Sequence, residues 1–204
     1  MEFDVRAKNY DTRSKEVRAK ALGEHLVEQW KKYDAFPQSV LDYGSGTGLV
    51  TVEVSPAVDV IYAFDESKPM VEKFKEKLAD RGITNIHPLD KLVDVPHKVD
   101  CILSSLVFHH IDDINQAIKD LMKYLKPGGL FSLIELDIDD GTFHGDSINF
   151  TGHNGFDRKW LKEQFEACGL ENVLIEKCYE GDKMIERKPH HYTMFSITGQ
   201  KSKA

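Results

Sequence analysis

Cysteine is scarce in this 204-residue chain: Cys101, Cys168 and Cys178 are an odd number with no CxxC spacing. A disulfide framework or a cysteine-built zinc centre is therefore unexpected, and a reducing, cytoplasmic setting fits best. Long apolar runs are also missing. The longest nearly apolar stretch, Cys101 to Phe108, falls far short of the roughly 18 residues a membrane span requires. The opening MEFDVRAKNYD is charged from its second residue and does not read as a signal peptide. Positive charge is short too, with 27 Lys+Arg against 34 Asp+Glu for a net charge of −7. Such a chain lacks the broad cationic footprint that duplex nucleic acid or an anionic membrane demands. Neither is an expected partner, which leaves a small molecule or a protein. No repeat, low-complexity block or Pro/Gly-rich linker divides the sequence, so residues 1–204 read as a single domain. At 41% hydrophobic and 30% charged, its composition is that of an ordinary globular protein.

What is present is alternation. Residues 14–33 read as a helix, with Ala19, Leu22, Leu26 and Trp30 on one face, and residues 39–43 as a short apolar strand entering a glycine cluster. The pattern predicts a helix over 47–54 ended by Pro56, a strand over 58–64, and a helix over 68–80 stopped by Arg81-Gly82. A weak strand over 83–89, a doubly buried strand over 99–104, a helix over 112–125 and a strand over 130–136 follow. After a polar loop come a helix over 157–168 and two strands, 173–179 and 191–198, joined by residues 180–190 with no helix between them. Strands alternating with helices imply parallel βαβ units with helices on both faces of one sheet. The short last connection implies a reversed strand near one end.

The most informative stretch is Leu41-Asp42-Tyr43-Gly44-Ser45-Gly46-Thr47-Gly48. Glycines at alternating positions after a buried strand allow a tight turn and a close ligand approach, with the free N–H groups of the next helix beyond. Asp65 ends the second strand, 21 residues past Gly44. In doubly wound sheets an acid so placed meets a ligand's ribose. The bland alternative is a strand–helix turn that merely needs glycine. The GxGxG spacing is not the GxGxxG of dinucleotide sites.

On LDYGSGTG (41–48), FDESKPM (64–70), PLD (88–90), DCILSSLVFHHIDD (100–113) and LKPGGLFSLIE (125–135), the chain resembles the class I S-adenosylmethionine-dependent methyltransferases. FDVRAKNYD (3–11) and GFDRKWLKEQFEACGLENV (155–173) are similar to a small-molecule, methyltransferase-11/25-like subgroup. The resemblance implies a Rossmann-like three-layer αβα sandwich with a seven-stranded, mostly parallel sheet in the order 3-2-1-4-5-7-6, and one antiparallel strand. Residues 1–35 would form a helical lid segment. It implies methyl transfer by in-line displacement from S-adenosylmethionine to a small-molecule acceptor, leaving S-adenosylhomocysteine, by a monomer or homodimer. The implied cofactor residues are Gly44, Ser45, Gly46 and Gly48 at the methionine part, Asp42 bracing that loop, and Asp65 on the ribose with Glu66 and Ser67 nearby. Met70 would pack on the adenine, Asp90 would meet its amino group, and Lys91 and Leu92 would add contacts. Ser104 and Ser105 would sit near the sulfonium, and Tyr10 would close over the cofactor. Ser67 and Met70 equally suit a helix cap and a core position.

A methyl sulfonium is already electrophilic, so the protein's task is alignment and, for a protonated acceptor, a base. The segment after the fourth strand reads Ser104-Ser105-Leu106-Val107-Phe108. It lacks the Asn/Asp-Pro-Pro-Tyr/Phe element that amino-directed nucleic-acid methyltransferases of this fold carry. His109 is the candidate base and substrate contact, with His110 as a packing residue and Asp112-Asp113 as a helix cap. In the long 137–156 loop, Phe143, His144, His153 and Asn154 are substrate-contact candidates. The histidines lack a ligand spacing, so no metal is expected. Two other readings compete. A nicotinamide-dependent oxidoreductase is opposed by the GxGxG spacing, the LKPGG turn and the two late strands. A non-catalytic module that keeps the fold and holds S-adenosylmethionine as a structural ligand or sensor is the other alternative, disfavoured because none of the motifs looks degraded.

Overall fold

A computed structural model describes residues 10–34, 36–144 and 151–203. Residues 1–9 of the expected lid and 145–150 of the long loop lie outside the described residues. The strands are β1 (Ser39–Tyr43), β2 (Val60–Phe64), β3 (Ile86–Leu89), β4 (Val99–Ser105), β5 (Leu125–Leu136), β6 (Leu170–Ile185) and β7 (Lys188–Lys201). They form one sheet in the order β3-β2-β1-β4-β5-β7-β6. β1, β2, β3, β4 and β5 pair in parallel, and β7 runs antiparallel to both β5 and β6. This is the expected topology, with the single reversed strand one place in from the edge.

Alternate residues along each central strand feed opposite cores, because successive side chains leave a strand on opposite faces. Leu41, Ile102, Phe131 and Leu133 pack on one side with Ile118 and Leu121 of α4 (Ile114–Leu121) and Leu161 and Phe165 of α5 (Arg158–Ala167). Val40, Cys101, Leu103 and Ile134 pack on the other. There they meet Trp30 of α1 (Arg13–Trp30), Val54 of α2 (Leu49–Val54) and Phe74 of α3 (Lys68–Arg81). Strands buried on both faces read as apolar runs, and β1 shows it with four of its five residues buried.

α1 starts at the Thr12 cap, whose hydroxyl accepts the Lys15 N–H. Its buried face docks on β5 and β7 through polar groups as well as apolar ones. Trp30 Nε1 donates to Ser132 Oγ at 2.9 Å, and Gln29 Nε2 donates to Ser196 Oγ at 2.9 Å. These buried groups are satisfied in pairs, which gives the helix a defined seat on the sheet.

Three local readings change. The expected 112–125 helix stops at Leu121, with a 3₁₀ turn over Met122–Tyr124, and β5 already begins at Leu125. The 180–190 connection is strand: β6 and β7 stay paired out to Ile185↔Lys188, around Glu186 and Arg187 with φ of 47° and 65°. Such a two-residue turn with both φ positive matches strand twist, but it is built here without glycine or asparagine. The helix after the glycine cluster begins at Leu49 and has only six residues, so little macrodipole stands behind it. Among the described residues, no helix is long and apolar enough to cross a membrane.

Candidate functional site

Parallel register brings the carboxyl ends of β1, β2 and β4 together, with Tyr43↔Phe64 and Asp42↔Leu103 as neighbours. Beyond these ends the chain has to turn, and the glycine loop does so with Gly44, Gly46 and Gly48 all at positive φ. Gly44 N–H and Ser45 N–H both donate to Phe64 O, and Gly46 N–H donates to Asp65 Oδ2 at 2.7 Å. Asp65 thereby ties the loop to β2, and its Oδ1 accepts the Ser67 N–H at 2.9 Å. Asp65 also lines the cavity that these strand ends open into. A Cβ on Gly48 would sit 1.9 Å from the buried Phe74 ring, whereas a Cβ on Gly46 would meet nothing within 4 Å. Gly48 is thus required by packing, and Gly46 by conformation beside open space.

These ends open into a cavity of about 370 Å³. Asp42, Gly44, Ser45 and Gly46 form its floor, Asp65, Glu66, Ser67 and Met70 one wall, and Ser105, Leu106, Val107 and His110 the opposite wall. α1 covers it with Lys15, Arg18, Ala19 and Leu22, one helical stripe, and with Tyr10 just before the helix. Asp11 moors that end, its carboxylate accepting from Thr47 Oγ1 at 2.5 Å and pairing with Lys77 Nζ at 2.7 Å. Lys15 Nζ lies 3.5 Å over the Tyr10 ring and donates to Tyr10 O at 2.9 Å.

Asp42 is fully buried below the loop, and burial pushes its carboxyl up to about 7, with the Asp65 charge adding to the rise and the Thr51 hydroxyl opposing it. Thr51 Oγ1 donates to Asp42 Oδ2 at 2.5 Å. Tyr43 is raised by burial and by the nearby Glu66 and Asp65 anions. Among the described residues, Ser45 Oγ is a buried polar atom with no hydrogen-bond partner. Such atoms are uncommon, and one facing a cavity marks where a ligand's polar group belongs.

Ten of the expected cofactor residues line the cavity: Tyr10, Asp42, Gly44, Ser45, Gly46, Asp65, Glu66, Ser67, Met70 and Ser105. Others do not. Gly48 caps α2 against Phe74, and Ser104 is buried, donating to Tyr43 O at 2.7 Å. Asp90 reaches toward Lys68 at 3.8 Å, Lys91 is exposed, and Leu92 packs beside the core. The two neighbouring histidines differ in placement. His109 is buried with Nδ1 2.8 Å from Glu135 Oε2, and His110 is the one on the cavity wall. Phe143 packs edge-on against Tyr192 at 5.0 Å, under Lys183. His153 donates its backbone N–H to His109 O and sets its ring Nε2 3.1 Å from Ile111 O, while Asn154 O accepts the Asp139 N–H. His109, Phe143, His153 and Asn154 do not line the cavity. The side chain of His144 lies outside the description. Lys15, Arg18, Leu106 and His110 are cavity residues that spacing alone did not single out. The stripe i, i+3 that aligns Lys15 with Arg18 was the available signal. Away from this cavity, ligand atoms of Asp139, Asp140 and His190 fall within 4.8 Å of one another. Asp139 is already engaged by the Gly141 and Phe143 N–H groups and by His190, which suits a loop anchor.

Residues 41–133 match the family model described as a methyltransferase domain. An uncharacterized methyltransferase of Schizosaccharomyces pombe is 29% identical, over 72% of this chain and 57% of that protein. The chain thus spans less than two thirds of that relative. A SAM-dependent methyltransferase from Aquifex aeolicus has the same fold with a TM-score of 0.67 at 17% identity, covering 97% of each chain. The N-methyltransferase NodS from Bradyrhizobium japonicum, solved with S-adenosyl-L-homocysteine, gives 0.66 at 14% identity over 88% of this chain and 85% of that one. At such identities the likeness is one of fold.

Proposed function

With a methyltransferase domain carried over residues 41–133, we propose that the cavity holds S-adenosylmethionine and that the protein methylates a small-molecule acceptor. The observation that carries this reading is the glycine loop with its buried, unpartnered Ser45 Oγ beside Asp65, at the carboxyl ends of β1 and β2. In parallel sheets that rim is where ligands bind. Gly44, Ser45 and Gly46 suit the amino-acid part of the cofactor, Asp65 and Glu66 the ribose, and Met70 the adenine. Asp42 suits a cationic group, since a bound positive charge would draw the proton off a carboxyl poised near neutrality. When bound, the cofactor supplies an electrophilic methyl group on sulfur. The protein's share is positioning: α1 covers the cavity and the turn after β4 walls it, so that an acceptor could be held in line with the methyl group. A cavity of about 370 Å³ and a net charge of −7 support a small acceptor over a nucleic acid.

Calorimetry with S-adenosylmethionine, S-adenosylhomocysteine and NAD tests the reading. Saturable binding of the first two and none of NAD is expected. Asp65→Ala removes a charged acceptor and should weaken S-adenosylhomocysteine by about 1.5–3 kcal/mol. No binding of either sulfur compound at millimolar concentration would overturn the reading.

A further inference from the structure

The carboxylate of Glu135, on β5, is 1% exposed and serves the turn behind the cavity wall. Its Oε1 accepts the Phe108 N–H at 2.7 Å, and its Oε2 lies 2.8 Å from His109 Nδ1. A carboxylate this deep is expensive unless every contact is used, so a fold that keeps one uses it to hold something. What it holds is strained. Leu106 lies at φ 59°, a left-handed conformation uncommon for a residue with a Cβ. The turn is pinned from two further sides, by Leu106 N–H donating to Ile134 O and His153 N–H donating to His109 O. The outcome is an exposed His110 on the cavity wall, its ring centroid 4.1 Å from that of His109.

We propose that His110 accepts the proton of the methyl acceptor, and that Glu135 and His109 are the positioning residues that set it there. The inference rests on the methyltransferase reading and deepens it: the acceptor class is one with a dissociable proton, such as a phenol, thiol or protonated amine. The acceptor's proton passes to a nitrogen of the His110 imidazole (before attack for a protonated amine, with it for a phenol or thiol), the acceptor atom's lone pair forms the bond to the methyl carbon, and the carbon–sulfur bond breaks with its pair staying on sulfur. Because His110 is exposed, water then takes the proton away. The titratable and charged groups lining the same cavity are Tyr10, Lys15 and Arg18, Asp42 and Tyr43, and Asp65 and Glu66. Behind the turn stand His109, Glu135 and His153.

Protein labelled with [ε1-¹³C]histidine provides a test that does not depend on finding the natural acceptor. The His110 resonance, assigned by its loss in His110→Gln, should shift on adding S-adenosylhomocysteine, and should titrate at lower pH in Glu135→Gln. In parallel, wild type and His110→Gln are assayed with methyl-labelled cofactor on a panel of a phenol, a thiol and a carboxylate. Transfer to the phenol or thiol should drop at least 10-fold in the variant and recover with added imidazole, while any transfer to the carboxylate stays within twofold. A His110 resonance indifferent to both the ligand and Glu135→Gln overturns the proposal, as does undiminished transfer to the phenol or thiol. Loss of S-adenosylhomocysteine binding by the wild type would instead sink the methyltransferase reading itself. Should Glu135→Gln fail to fold, the exposed His110→Gln still decides the matter.

Discussion

Replacing Asp42 by Asn should make the protein more stable at neutral pH and reshape its response to acid. In the folded state the Asp42 carboxyl is held up to about 7 by burial, against 3.8 for an ordinary aspartate. Between about pH 4 and pH 7 the folded protein therefore keeps a proton that the unfolded chain has released. Stability then falls as pH rises through that window and levels off above it. A shift of roughly 3 units at 1.36 kcal/mol each amounts to about 4 kcal/mol. Asparagine stays neutral throughout, and its carbonyl oxygen can accept the Thr51 hydroxyl as the protonated carboxyl does. Groups with shifts of their own, such as Asp100, Asp137 and His25, are common to both proteins and cancel in the difference. Urea denaturation at a series of pH values should show Asp42→Asn gaining on wild type by about 4 kcal/mol from pH 4 to pH 8. A difference constant to within about 1 kcal/mol, or one that shrinks as pH rises, would refute the reasoning that this carboxyl is buried and proton-bearing.

Gly48→Ala should cost about 3 kcal/mol or more, because its Cβ would drive into the fully buried Phe74 ring at a positive φ; a thermal melt within a few degrees of wild type would contradict this packing. The paired change Glu186→Asn with Arg187→Gly should raise stability by about 1 kcal/mol, since both residues sit at positive φ in the β6–β7 turn. Chemical denaturation reads the gain, and a loss would mean that the turn is not of this type.

The central strands were accessible to sequence reading because β1, β4 and β5 are largely buried on both faces and mostly apolar, and their order followed from the family resemblance. The β6–β7 arm was not, for the opposite reason. Residues 179–192 run beyond the partner edge of β5, mostly half or fully exposed, so no apolar alternation marks them as strand. Their turn also lacks glycine and asparagine, the usual markers. In the cavity, the glycine loop and Asp65 were legible because their backbone demands select residue types. Which of His109 and His110 faces the cavity was illegible because the turn's twist is set by Glu135, a strand away in space and 26 residues on in sequence. No periodicity in Leu106–Ile111 records that contact.

Net charge averages over the whole chain and does not describe the cavity. The whole chain is acidic at −7, yet the cavity it encloses is bipolar. Asp42, Asp65 and Glu66 gather at the ends of β1 and β2, while Lys15 and Arg18 face the same space from α1. Arg18 donates to the Tyr192 hydroxyl at 3.4 Å, and Lys15 Nζ donates to Tyr10 O at 2.9 Å. Close approach of such groups would neutralise the site and fill it with ion pairs. Burial above all, with the Asp65 charge adding to it, keeps the Asp42 proton in place up to about neutral pH. On the proposed reading, a ligand bearing both a cationic and an anionic group at one end and a ribose at the other would meet groups of both signs here, and a neutral nucleoside would not.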